Sequence, residues 1–201
     1  MTGNRSAWAD FLNPDLVRST FISAGLFLVA HEMLIDSLKR HPLSFFATRW
    51  TSKGPDQSEK YRKEVLALDP KQMNDPVRGS IAWLKSMNAL DEDDEVAIKR
   101  VTDERNRLAH ELSGVIHGSL PQKFNEYYPT VMSLVSKIEK WWIVNVEMAT
   151  DPDFAGKDIE LDQVVPGVIL SLDMLSQVAL GEGEAAWELH RWFEQEWPQS
   201  H

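Results

Sequence analysis

The chain contains no cysteine among its 201 residues. That excludes disulfide staples and thiolate metal ligands, and it fits a reducing compartment. Basic residues are also short: 21 Lys and Arg face 31 Asp and Glu, a formal net charge of −10. Binding nucleic acid by bulk phosphate neutralisation needs a Lys/Arg surface. A nucleic-acid role here therefore requires a local basic patch. Long apolar runs are missing as well. The most apolar stretch, FISAGLFLVA at 21–30, is interrupted by His31 and Glu32. A bilayer span needs about 20 apolar residues, so this stretch reads as a buried helix. The opening MTGNRSAWADFLNPD lacks the apolar segment of a secretory leader. The expectation is a soluble, cytoplasmic protein with no membrane partner.

What is present points to helices. Hydrophobic residues make up 43% of the chain, enough for a core, and packing accounts for most of the eight Trp. Asn13-Pro14-Asp15 reads as an N-cap with proline at the first helical position, and His41-Pro42 as the stop of that helix near Arg40. Residues 41–58 lack a clean period and read as a connection, followed by a short helix over SEKYRKEVLAL. Asp75-Pro76 opens another helix, with Ile81, Leu84 and Met87 or Asn88 at helical spacing. DEDDE at 91–95 places acid at the positive end of the next helix, which runs through Val101, Leu108 and Leu112 to a cap at Gly114.

Ser119 and Gln122 fit a capping box, with Pro121 inside it. Phe124, Tyr128, Val131, Val135, Ile138 and Trp142 then recur at alternating spacings of four and three, the strongest periodicity in the chain. Residues 149–162 read as a polar loop, and helices over Pro166–Leu180 and Glu184–Trp197 form a terminal hairpin around Gly181-Glu182-Gly183. No segment alternates at period two. The fold class is all-α: a helical bundle over 1–148, with 149–201 as a loop plus C-terminal helical hairpin packed on the same domain.

Familiar catalytic patterns fail on inspection. HEMLI at 31–35 begins like a zinc-protease motif but has Ile35 where the second histidine belongs. His110 and His117 share a helix face only if the helix passes through Gly114. GEGEAAW at 181–187 lacks the lysine of a phosphate loop and reads as a turn. No serine sits in a nucleophile elbow. Trp141-Trp142 reads as core plus boundary. Neither a metal nor a cofactor is expected.

DERNRLAHEL at 103–112 is different. At about 100° per residue, Val101, Arg105, Leu108 and Leu112 fall in one stripe. Arg105 thus interrupts an apolar face, where a guanidinium is costly unless it is paired or faces a cleft. Asn106 and His110 are one turn apart, so the amide can orient the imidazole. Arg105 and His110 are five apart and splayed, an arrangement that suits a phosphate held between them or between copies in two chains. The alternative is an arginine paired with Glu104 or a glutamate elsewhere, with His110 merely exposed.

The string RNRLAHE resembles the signature of the HEPN superfamily, helical domains that carry Arg, commonly Asn, three variable residues and His on a bundle helix. Arg105, Asn106 and His110 match position by position, while Glu111 stands where some members have glycine. The resemblance implies that 1–148 is a HEPN-like bundle and that the protein is a metal-independent endoribonuclease, a toxin or defence effector acting as a homodimer. It implies RNA as substrate and a cognate antitoxin protein as partner. His110 would move the proton of the RNA 2′-hydroxyl or of the leaving oxygen. Arg105 would bind the scissile phosphate, Asn106 would fix the ring, and Lys99, Arg100 and Arg107 would form a basic rim. The superfamily also contains non-catalytic modules, so the alternative is a HEPN-like scaffold that binds a nucleotide, RNA or protein.

Overall fold

The computed structural model describes residues 9, 11–52, 54–111, 126–154, 157, 160–181 and 183–196. Helix α1, Pro14–Phe46, is the axis on which the rest is built. Asn13 caps it by accepting from the amides of Asp15 (3.1 Å) and Leu16 (3.2 Å), which leaves Pro14 where no N–H is needed. Its inward residues, among them Ala24, Phe27, Leu34 and Leu38, recur at three- and four-residue spacing. At 33 residues it is long and apolar enough, by length and composition, to cross a membrane, and 44% of its most apolar window is buried inside the bundle.

The helix does not stop at His41-Pro42 as its sequence predicts; it continues to Phe46. Pro42 cannot donate to the preceding turn, a cost of about 3 kcal/mol within a helix. Packing outweighs it. His41 is buried, stacks on Trp142 with ring centroids 4.4 Å apart, and lies 2.8 Å from the Glu139 carboxylate. Phe45 and Phe46 continue into an edge-on aromatic cluster with Trp83 and Trp142. Burying one such side chain contributes about 1.5–3 kcal/mol, so a few offset the proline.

The predicted connection that follows contains a two-stranded antiparallel hairpin, β1 Trp50–Thr51 and β2 Gly54–Pro55. Two residues per strand are too few to show alternation in sequence. Asp56 closes it by accepting from the amides of Thr48 (2.8 Å) and Arg49 (3.0 Å), and these amides hold its carboxyl below the usual range. The next predicted helix is shorter than expected: α2 spans Glu59–Glu64, and a 3₁₀ turn covers Leu66–Leu68.

Helix α3, Pro76–Ser86, starts where Asp75-Pro76 places it, with Asp75 accepting from the amides of Val77 and Arg78. Ile81 and Leu84 are buried, whereas Met87 is 46% exposed. The helix ends at Ser86, and Asn88 takes a left-handed turn at φ 57°. Gly79 is required by close approach: a Cβ there would lie 2.5 Å from the Val65 carbonyl oxygen.

Helix α4, Glu92–Glu111, begins with a reciprocal cap. The Asp91 amide donates to Asp94, and the Asp94 amide donates to Asp91. Lys137 pairs with both carboxylates and pulls Asp91 down to about 2, while Lys85 of α3 holds Glu92 and Glu95. The acidic run thus ties three helices together as well as facing the α4 dipole.

Helix α5, Tyr128–Trp142, buries Val131, Leu134, Val135, Ile138 and Trp142, the predicted period, and unwinds into a π turn over Ile143–Met148. Trp141 is half-buried beside the buried Trp142. Helix α6, Gly167–Leu180, packs on α1 and α5, and Tyr128 Oη lies 2.7 Å from Ser176 Oγ. Where the sequence predicts a turn, Gly183–Trp187 forms a short 3₁₀ helix, with Gly183 at φ 55°; the last α-helix, α7, spans Glu188–Glu196 and starts later than predicted. Among the described residues the molecule is all-α apart from the small hairpin. The predicted cap at Gly114, the Ser119–Gln122 box, and residues Leu112, His117, Phe124 and Trp197 lie outside the described residues.

Candidate functional site

The site is built where α4 crosses α1. Val101 and Leu108 are buried against the core and fix the rotation of α4. That rotation carries Arg105, which stands about 40° around the wheel from Val101 on the side away from Leu108, to the edge of α1. Its Nη2 is 3.2 Å from Glu32 Oε1, and its Nη1 is 3.4 Å from Asn106 Oδ1. The ion pair is surface-level, with side chains 37% and 57% exposed. The Arg105 Nε is different: it is buried and has no hydrogen-bond partner. Leu28, Val29, Met33, Glu32 and Arg105 line an adjoining pocket of about 260 Å³.

Beneath Glu32 lies His31, only 4% exposed. Its tautomer follows from its neighbours. The Thr102 hydroxyl donates to the Ile98 carbonyl at 2.8 Å, so its proton is committed. His31 Nε2, 3.2 Å from Thr102 Oγ1, must therefore be the protonated nitrogen and donate. That leaves Nδ1 as a bare acceptor, buried without a partner and 3.9 Å from Glu32 Oε1. Burial pushes the His31 pKa down, Glu32 pushes it back up, Arg105 adds to the lowering, and the balance lies below the ordinary imidazole value. His31 is neutral at neutral pH.

The other predicted residues occupy two further faces of α4. Asn106 and His110 are exposed one turn apart on one face, together with Lys99. Arg105 and His110 are about 140° apart around the helix, as a spacing of five requires. Arg100 is exposed, with its guanidinium carbon 5.1 Å from the Tyr127 ring centre. Arg107 sits between Glu104 (2.6 Å) and Glu111, which balance its charge. Within one chain, Arg105 meets Asn106 and Glu32, and its charge bears on His31, whereas Arg100 and Arg107 lie on a separate side.

Sequence reasoning did not assign His31, Glu32 or Thr102 to this site. A signal existed: His31-Glu32 is where a polar pair interrupts the longest apolar run. Among the described residues, no group of three or more His, Asp or Glu side chains is placed to hold a metal ion. No family model, curated protein or solved structure matches the chain.

Proposed function

We propose that this protein is a HEPN-type, metal-independent endoribonuclease, with Arg105, Asn106 and His110 as its working residues. The observation that carries the reading is the placement of Arg105. An arginine at the flank of two buried core positions, Val101 and Leu108, keeps a planar two-pronged group at the α1–α4 edge, in contact with Asn106. That group fits a phosphodiester better than an ammonium would. His110, on the exposed face with Asn106, supplies proton transfer to or from the 2′-hydroxyl and the leaving oxygen. Attack of the 2′-oxygen on the adjacent phosphorus expels the 5′-oxygen and leaves a 2′,3′-cyclic phosphate. The angular gap between Arg105 and His110 is bridged by pairing two copies along α4, so that each chain contributes to a shared cleft. Lys99, on the same face as His110, extends the phosphate track. A cognate antitoxin that covers this face would silence it.

The second reading, a non-catalytic HEPN-like scaffold, is favoured by one observation: the Arg105 and Arg107 charges are already countered by Glu32, Glu104 and Glu111. The two readings separate on purified protein incubated with an RNA panel in excess EDTA, beside the same sequences with 2′-deoxy substitutions. Cleavage in EDTA that leaves cyclic ends, and is absent on deoxy substrate and in His110→Ala, supports the enzyme. An uncut panel with wild-type protein supports the scaffold.

A further inference from the structure

We propose that Glu32 is a positioning residue for the phosphate site: its carboxylate holds Arg105 in the free protein and is handed to His31 when a phosphate takes its place. This rests on the phosphate-binding part of the function proposed above and not on cleavage. Three features of the α1–α4 crossing support it. First, one oxygen, Glu32 Oε1, serves two possible partners. It lies 3.2 Å from Arg105 Nη2, a hydrogen bond, and 3.9 Å from His31 Nδ1, beyond one. Second, Nδ1 is the unprotonated nitrogen of a ring whose other nitrogen is committed to Thr102, and it has no partner. A buried acceptor without a donor is uncommon in a folded protein. On protonation, Nδ1 becomes a donor beside the carboxylate. Third, Glu32 is 57% exposed and borders the open pocket lined by Leu28, Val29 and Met33. It has room to swing, whereas Arg105 is anchored along its stem by a buried Nε.

The exchange balances in charge. In the free protein, neutral His31 sits beneath a Glu32–Arg105 pair. With a phosphodiester on Arg105, one proton from solvent enters Nδ1 and His31 pairs with Glu32. Among the described residues, the charged groups that bear on His31 are Glu32 on its own helix and Arg105 from α4. Burial and Arg105 both oppose the proton in the free state. Neutralising Arg105 with a phosphate removes the second opposition.

The probe is a 2′-O-methyl oligouridine, which is a phosphodiester that this chemistry cannot cleave and whose bases do not titrate between pH 5 and 8. Its affinity is read by fluorescence anisotropy at fixed ionic strength, with thermal melts as folding controls. At pH 8, Glu32→Gln binds about two- to fivefold tighter than wild type, the range set by an exposed ion pair. Adding Arg105→Ala to that variant abolishes the gain. As pH falls toward 5, wild type approaches the variant, because His31 has then taken the carboxylate. Equal affinity of wild type and Glu32→Gln at pH 8, or a gain that survives Arg105→Ala, overturns the proposal. So does a gap that is constant with pH, or no binding by any form. RNA cleavage lost in His110→Ala, with no gain from Glu32→Gln, leaves the nuclease standing and removes this inference. The gain without any cleavage does the reverse.

Discussion

One oxygen of Glu139 gathers three donors from α1, and removing it should be measurable. Its buried Oε1 accepts from Ser37 Oγ at 2.5 Å and His41 Nε2 at 2.8 Å, with Arg40 Nη2 at 3.3 Å. Both Ser37 and His41 are buried, at 2% and 3% exposure, so water cannot replace the lost acceptor without opening the α1–α5 contact. Each buried donor left unsatisfied costs about 1–3 kcal/mol. Arg40, half-exposed, turns to solvent and to Asp36. Glu139→Ala should therefore cost about 3–5 kcal/mol, a large share of a typical ~5–15 kcal/mol stability. Glu139→Gln keeps one acceptor and should cost about 1–2 kcal/mol.

Urea unfolding followed by circular dichroism is the assay. With a slope near ~2 kcal/mol/M, the Glu139→Ala midpoint should drop by roughly 1.5–2.5 M with the slope unchanged. A drop below 0.5 M, in units of that same approximate slope, would refute the reasoning. The pH dependence gives a second check. Burial pushes the Glu139 carboxyl up, but hydrogen bonds from His41 and Ser37 outweigh it and hold it below its ordinary 4.5. A depressed folded pKa means stability that is complete above 4.5 and lost as pH falls through the folded value. The gap between wild type and Glu139→Gln should therefore narrow below pH 4.5 and stay constant above it.

Three further outcomes are expected. Gly79→Ala places a Cβ 2.5 Å from the Val65 carbonyl oxygen and should destabilise by about 1–3 kcal/mol in the same urea assay, since the obstacle is backbone. His110→Ala should lower single-turnover RNA cleavage by ~10²–10⁴-fold with the melting temperature unchanged, while Arg105→Lys recovers only part of what Arg105→Ala loses. Light scattering should give a dimer at micromolar concentration, with at least ~1,000 Å² buried in total, and a spin label at residue 106 should report the partner's label close by; a monomer, or distant labels, counts against the shared cleft.

The helices that sequence made legible are those whose signal is local. Asn13 and Asp75 cap α1 and α3 with their own side chains, and prolines at the first helical position need no partner elsewhere. The period of α5 was readable because its inward face meets the core along its whole length. What misled was a local rule overruled from a distance. Pro42 forecasts a stop, yet His41, Phe45 and Phe46 are held by Trp83, Glu139 and Trp142, which are 37 or more positions away in the chain. The acidic run 91–95 was read only as dipole complement, because its two lysines, Lys85 and Lys137, approach from other helices.

The site divides along the same line. Arg105, Asn106 and His110 lie within six positions on one helix, so their spacing and the anomaly of Arg105 in an apolar stripe were visible in the string itself. The reading that Arg105 pairs with a glutamate elsewhere is also met, by Glu32, 73 positions away. Its consequence differs from a simple salt bridge. Glu32 follows His31, whose Nε2 is fixed by a threonine one turn before Asn106, and the ring's other nitrogen faces the same carboxylate. A carboxylate between a permanent cation and an ionisable ring can change partner at a cost set by the ring's protonation. A lone arginine–glutamate pair at the surface offers no such second state. Whether Arg105 is merely held or held in reserve therefore turns on His31, a residue outside the string that carries Arg105, Asn106 and His110.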